Sequence, residues 1–242
     1  MQFTDSHIHL QDYKTKNAQQ IIADLRKHSY SRVICVSAKS EDFSSVANLV
    51  QLDSELIIPA FGIHPWYINE APADWPELIR HFLQLYPQGI LGECGFDRLK
   101  GADIAQQKNV FQTHIALAKE FNRPLNIHLV HAEDVFASIF KHLPPKFLLH
   151  SFSGSLSFLR QILHHGGYIS VNPLLLRNPK FHDLIKAIPS DRLLVESDGP
   201  FQSDYTLIPD FIKQISQIKE IDILSLSSQI QQNLQNFISP SD

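Results

Sequence analysis

Cysteine is scarce in this sequence, long apolar runs are missing, and positive charge has no surplus. The two cysteines, Cys35 and Cys94, stand in no metal-binding or redox spacing, which excludes a disulfide-stapled scaffold and a cysteine-based zinc site. A reducing cytosol is the simplest setting for such usage, so a cytoplasmic location is expected. No apolar run approaches the ~18 residues of a membrane span. The opening Met1-Gln2-Phe3-Thr4-Asp5 has no basic stretch followed by an apolar one, so neither a span nor a signal peptide is expected. With 21 Lys+Arg against 25 Asp+Glu the net charge is -4, which lacks the basic footprint of a non-specific DNA binder. A nucleic-acid substrate would therefore need a local basic patch or phosphate-binding metals. Internal repeats, low-complexity tracts and a Gly/Ser linker are also missing, so residues 1–242 are expected to form a single domain.

What is present is a rhythm. Hydrophobic residues make up 43% and charged residues 19%, a globular balance, in a chain long enough to bury a full core. Short apolar runs recur at Phe3–Ile8, Arg32–Val36, Leu56–Phe61, Gly89–Gly92, Leu125–His128, Phe147–His150, Tyr168–Val171 and Leu193–Glu196. Between them lie amphipathic stretches at Gln19–Lys27, Phe43–Leu52, Trp75–Leu85, Ile104–Phe121, Val135–His142, Leu156–His164 and Phe181–Ile188. Pro209–Phe237 closes the chain as more than one helix. Alternating strands and helices argue for a parallel sheet, either open or closed. The polar residues decide between these. Asp5, His7, His9, His64, Glu93, His128, His150 and Asp198 fall at or just past the C-terminal ends of different runs. Only in a (β/α)8 TIM-type barrel do all those ends converge on one mouth.

The chemistry begins at Asp5-Ser6-His7-Ile8-His9. Side chains alternate on a strand, so Asp5, His7 and His9 share a face, and two imidazoles spaced two apart can chelate one ion. The bland alternative is a solvated strand edge. Glu93 is a carboxylate able to bridge two metals, or else a helix cap. His128 and His150 end consecutive runs and would be neighbours in a barrel; each alone could equally be a packed core histidine. Asp198 sits on the last run, beside the first in a closed barrel. Glu196 lies one layer deeper and needs a partner if buried. His64, in Gly62-Ile63-His64-Pro65, could meet a substrate anion, with Gly62 allowing close backbone approach. Cys35 and Cys94 read as packed thiols. His131 falls off the inward face. His28, His81, His114, His142, His164, His165 and His182 lie on helices or their ends and are expected to be solvated. Asp103 and Glu133-Asp134 read as helix starts.

Asp5-x-His7-x-His9, Gly62-Ile63-His64-Pro65, Gly92-Glu93-x-Gly95-x-Asp97, His128, His150-x-Phe152-x-Gly154 and Glu196-x-Asp198-x-Pro200 together resemble the TatD family of metal-dependent deoxyribonucleases, within the amidohydrolase superfamily. The match is ordered and spans residues 3 to 201. The resemblance implies two divalent metals: His7, His9, Glu93 and Asp198 at one site, and Glu93, His128 and His150 at the other, with Glu93 shared. The ions would be Mg, Mn or Zn. The chain departs from the family pattern at Val130, where an Arg is usual, and at Arg98 and Gly199. Arg98, Lys100 and Arg177 are candidates for phosphate contacts.

The function these residues imply is hydrolysis of DNA phosphodiesters, exonuclease-like, by a metal-activated water. Asp198 would orient that water and take its proton, Glu93 would bridge, and His64 would neutralise developing charge. Asp5 and Glu196 would hold the imidazole tautomers by hydrogen bonds. The partner is thus DNA as substrate; no protein partner is indicated. Two other classes fit the same residues: an amidohydrolase-type ester, amide or lactone hydrolase, and a metal-binding barrel that serves as a subunit of a larger complex.

Overall fold

The computed structural model describes residues 1–240, in which eight strands lie side by side in chain order. They are β1 (Phe3–Ile8), β2 (Tyr30–Val36), β3 (Ile57–Phe61), β4 (Ile90–Asp97), β5 (Leu125–Val130), β6 (Phe147–Leu149), β7 (Tyr168–Val171) and β8 (Leu193–Val195). Each pairs in parallel with the next. The sheet then returns on itself. Just past β8 the Asp198 N–H donates to the His7 carbonyl at 2.9 Å, and the His9 N–H donates to the Gly199 carbonyl at 2.8 Å. The result is a nearly closed barrel, as the polar residues at the ends of the runs predict.

The helices are α1 (Ala18–Lys27), α2 (Asp42–Leu52), α3 (Trp75–Leu85), α4 (Ile104–Phe121), α5 (Glu133–Ala137), α6 (Leu156–His164), α7 (His182–Ala187), α8 (Ile208–Lys219) and α9 (Ile223–Ile238). Their starts are chemically marked. Asn17 and Asp103 each accept from the N–H three residues on while Gln20 and Gln106 reach back, which makes two capping boxes. Ser155 and Asp222 cap α6 and α9 in the simpler way. Among the described residues no helix is long and apolar enough to cross a membrane.

Alternation along the strands sorts the core into two layers. Val33, Cys35, Ile57 and Phe61 point outward into the main cluster under the helices. Ile34, Val36, Ile58, Ala60, Leu148 and Leu194 point into the barrel and meet Leu234, Phe237 and Ile238 of α9. Helix α9 is fixed at the N-terminal ends of the strands: the Asn233 amide donates to the carbonyls of Ser190 and Leu193, and Ser227 donates to that of Gln2. One end of the barrel is thus plugged by apolar side chains, and the polar strand ends are left at the other.

Three expectations need correction. The fourth run does not stop at Gly92: β4 continues to Asp97, with Glu93 inside the strand. Its ladder to β5 is irregular between Leu91 and Cys94, and Gly92 and Gly95 take φ of 123° and 143°, where side-chain-bearing residues are rare. The stretch Val135–His142 is not one helix but the short α5 and a separate 3-10 turn at Phe140–His142. His114 is not solvated. It is fully buried in α4, stacks on Trp75 with centroids 4.7 Å apart, and accepts the Ile63 N–H.

Candidate active site

Side chains from β1, β4, β5 and the turns after β3, β6 and β8 meet around one carboxylate. Glu93 is buried, and its two oxygens face different groups. Glu93 Oε2 lies 3.6 Å from His7 Nε2 and 3.5 Å from His9 Nε2. Asp198 Oδ1 faces the same two nitrogens at 3.7 and 3.5 Å. On the other side, Glu93 Oε1 lies 3.0 Å from His128 Nδ1 and 2.9 Å from His150 Nε2. All six residues singled out from the sequence as metal ligands are therefore brought together, in two groups that share Glu93. Clusters of donor atoms compact enough for one ion occur here, His7–His9–Asp198 among them.

Most of the imidazoles are held from behind. Asn126 Oδ1 faces His7 Nδ1 at 3.0 Å, Asp97 Oδ2 faces His128 Nε2 at 3.3 Å, and Glu196 Oε1 faces His150 Nδ1 at 3.3 Å. Each such acceptor fixes the proton on the outer nitrogen and turns the inner lone pair toward the site. Asn126 itself is oriented by its amide, which donates to the Ser6 carbonyl. Asp198 is held in the same spirit: Gln202 Nε2 donates to Oδ2 at 2.7 Å, and the backbone of Asp198 sits in the left-handed region at φ 50°. A short polar side chain tolerates that conformation better than most, and such residues concentrate at functional sites.

His64 differs from the others. Its Nδ1 accepts the Trp66 N–H at 3.1 Å, so in the neutral ring the proton is on Nε2, which faces Glu93 Oε1 at 3.4 Å. Burial pushes its pKa down to about 3, so the ring is neutral at pH 7. It is a hydrogen-bond donor at the mouth rather than a ligand, although its nitrogen lies close enough to Glu93 and His128 to be counted with them.

The electrostatics favour cations. Burial alone would raise the Glu93 carboxyl, but the surrounding imidazoles of His64, His7, His150 and His128 overcome this and hold it well below its ordinary range. Burial likewise works against Asp198, and His9 and His7 outweigh it. The rings of His150 and His128 resist desolvation and are raised instead by the carboxylates beside them, Glu93 and Glu196 for His150, Asp97 and Glu93 for His128. Buried carboxylates faced by imidazole nitrogens whose far sides are capped form a donor set that suits divalent ions of borderline character.

Several residues sit differently from their expected roles. Asp5 reaches no imidazole. Its Oδ1 accepts the backbone N–H groups of His7 and Ser197, which ties β1 to the end of β8, and burial raises its pKa to about 8. The partner of the His7 ring is Asn126, which alternation puts on one face of β5 with His128 and Val130 but does not mark as a ring partner. The same rule puts Asp97 on the face of Glu93 and Gly95. Gly62 permits close approach to β4 rather than to substrate: a Cβ there would come within 2.6 Å of the Glu93 carbonyl. Cys94 points away from Glu93 and is packed, as is Cys35. His9, Glu93, His128, His150 and Asp198 border a cavity of about 700 Å³, lined also by His64, Lys100, Val130, His131 and Phe201, while His7 is buried behind it. Arg98 turns away to Asp134 at 2.8 Å, and neither it nor Arg177 lines the cavity.

Known proteins resemble this chain in sequence and fold. A family model described as TatD related DNase matches residues 4–239. An uncharacterized metal-dependent hydrolase of Haemophilus influenzae is 28% identical over 214 residues, covering 83% of this chain and 82% of the relative. A 3'-5' ssDNA/RNA exonuclease TatD of Erwinia tasmaniensis is 24% identical over 234 residues, covering 88% and 90%. A hydrolase of the TatD family from Entamoeba histolytica superposes with a TM-score of 0.87 at 20% identity, covering 100% of this chain and 99% of the other, which establishes the fold.

Proposed function

This chain belongs to the TatD-related DNase family and is a metal-dependent hydrolase of phosphodiester bonds; from that premise we propose that it shortens single-stranded DNA from an end, using two divalent ions shared through Glu93. One observation carries the reading: Glu93 turns one oxygen to His7 and His9, which Asp198 also faces, and the other to His128 and His150. A single-ion site would need no such division.

In this reading His7, His9, Asp198 and Glu93 hold one divalent ion, and Glu93, His128 and His150 hold the other; Mg, Mn and Zn are the candidates. When bound, the ions supply Lewis acidity, which brings the ionisation of water from pKa ~15.7 toward about 7 and offsets phosphate charge. The remaining tasks belong to the chain. Gln202 pins Asp198 Oδ2, so the carboxylate is fixed to orient the attacking water and accept its proton. His64 donates Nε2–H toward the phosphate oxygens as negative charge grows there, and stays neutral while doing so. Asn126, Asp97 and Glu196 keep the ligand rings in one tautomer, and Asp5 fixes the strand that carries His7 and His9. We read residues 1–242 as a single domain, of which the described residues 1–240 make one such barrel. Two free, buried cysteines support a cytoplasmic setting.

The test is to incubate metal-free protein with end-labelled single-stranded DNA, adding Mg, Mn or Zn in turn, beside Asp198→Asn. Metal-dependent shortening that the variant loses is the expected result. Intact DNA under all three ions would refute the nuclease reading.

A further inference from the structure

The cavity at the barrel mouth is poor in positive charge. Lys100 is the one Lys or Arg among its lining residues, against Glu93, Asp97, Glu133 and Asp198. Nearby cations do not make up the difference. Arg98 is paired with Asp134 at 2.8 Å, and Lys39 Nζ rests 5.6 Å from the Tyr67 ring, outside the lining. A strand of nucleic acid binds largely by neutralising successive phosphates, and the cavity lining itself supplies a single lysine for that.

What the mouth offers instead is aromatic surface, unevenly used. Trp66 is already partnered: Lys100 Nζ lies 3.5 Å from its ring centroid, and its indole N–H donates to Asp97. Phe201 is not. It is 66% exposed, follows Pro200 just past Asp198, and meets His9 edge-on with centroids 5.1 Å apart. An open phenyl face thus stands against the His9 side of Glu93, and the lone lysine stands against the His64 and His128 side, where Trp66 packs.

We propose that Phe201 and Lys100 form a one-nucleotide subsite: the base of the nucleotide at the scissile bond stacks on Phe201, its phosphate lies toward Lys100, and recognition ends there. The inference rests on the nuclease reading and narrows it. The substrate class is single-stranded oligonucleotides taken from an end, with turnover nearly blind to strand length and to salt. Every base has a π face, so stacking on Phe201 holds a nucleotide without reading its identity. The cavity of about 700 Å³ lies in the range that holds a ligand of a few hundred daltons, the size of one terminal nucleotide.

The experiment uses the full chain, saturated with whichever ion supports turnover, on single-stranded DNA of about 3 to 20 nucleotides across about 50–200 mM KCl. Bis(p-nitrophenyl) phosphate reports the chemistry without a polymer. The expected kcat/KM varies less than about threefold with length, and its log–log salt slope is near −0.7, the value for about one phosphate on a single strand. Phe201→Ala lowers kcat/KM about tenfold on normal ends, the scale of one lost stacking contact, and leaves ends with an abasic terminal nucleotide unchanged. Turnover that rises steeply with length, with a slope near −2.8 or beyond, reveals a track of about four phosphates and overturns the proposal. An equal loss on abasic ends overturns the stacking role. In either case continued cleavage of the simple diester leaves the nuclease reading intact. No cleavage of diester or DNA defeats both, and turnover of small carboxylic esters would then assign an amidohydrolase-type activity.

Discussion

Glu93 is placed by backbone geometry before it is placed by charge. The irregular stretch of β4 and the freedom of Gly92 set the carboxylate at the centre of five imidazoles, where a residue earlier or later on the strand would face the helices as Cys94 does. If its two oxygens serve two ions, removal affects both. Glu93→Ala should lower turnover by about two to three orders of magnitude, comparable to losing a principal electrostatic contact, and should weaken both ions in a direct binding titration. Asn126→Ala and Asp97→Ala should act more gently, reducing ion affinity by about 10- to 100-fold through misoriented rings; isothermal titration at fixed pH reads this. The proposed ligands were legible in the sequence because paired His and acids at strand ends are rare outside sites. Asn126 was not, because an uncharged amide on a strand looks like any satisfied polar residue until the ring it faces is known. Asp5 misled for the opposite reason: its charge and spacing suit an imidazole partner, and only the turn after β8 shows that two backbone N–H groups claim it.

At the scale of the element, β4 and α4 carry the risks. Gly95 has φ 143°, and a Cβ there would run into the His128 carbonyl. Gly95→Ala should therefore destabilise the barrel by about 1–3 kcal/mol and displace His128, measured together as a lower urea midpoint and weaker ion binding. Helix α4 hides a pH dependence. Burial lowers the His114 pKa to about 4, while its Nδ1 bonds the Val110 carbonyl and its Nε2 accepts the Ile63 N–H. A depressed folded pKa gives stability that is complete above about 6.5, the unfolded value, and is lost as pH falls toward 4. The size is roughly 3 kcal/mol. His114→Gln cannot take up the proton, so the stability gap between wild type and variant should move by about that amount from pH 7 to pH 4, in the variant's favour. A gap that stays constant with pH would exclude His114 as the source. The sequence did contain the signal: position 114 belongs with Phe111, Ile115 and Ala118 on the buried side of α4. Placement on a helix alone does not make a histidine solvated; the face it shares does. Strand and helix order was otherwise plain, because apolar runs and amphipathic stretches of these lengths permit little else; the length of β4 was not, since two glycines within a strand read as its end.

Across the whole molecule the barrel divides into an apolar floor and a polar mouth. Leu234, Phe237 and Ile238 of α9 seal the floor, and Phe237→Ala should cost about 3–5 kcal/mol without touching the site. At the mouth, buried carboxylates face imidazoles that hold protons in the absence of a divalent ion, so ion binding competes with protonation and weakens as pH falls. Ions that bind only the folded chain should also stabilise it, by about 2.7 kcal/mol at a hundredfold excess over Kd. The measurement that bears most directly on the account is the number of divalent ions bound per chain, determined by equilibrium dialysis with elemental analysis, for wild type and Glu93→Ala side by side with diester hydrolysis. Two ions in the wild type, with occupancy and turnover both collapsing in the variant, is the predicted result. A wild type that turns over substrate with one ion, or a Glu93→Ala variant that keeps two and remains active, would contradict the shared-carboxylate centre.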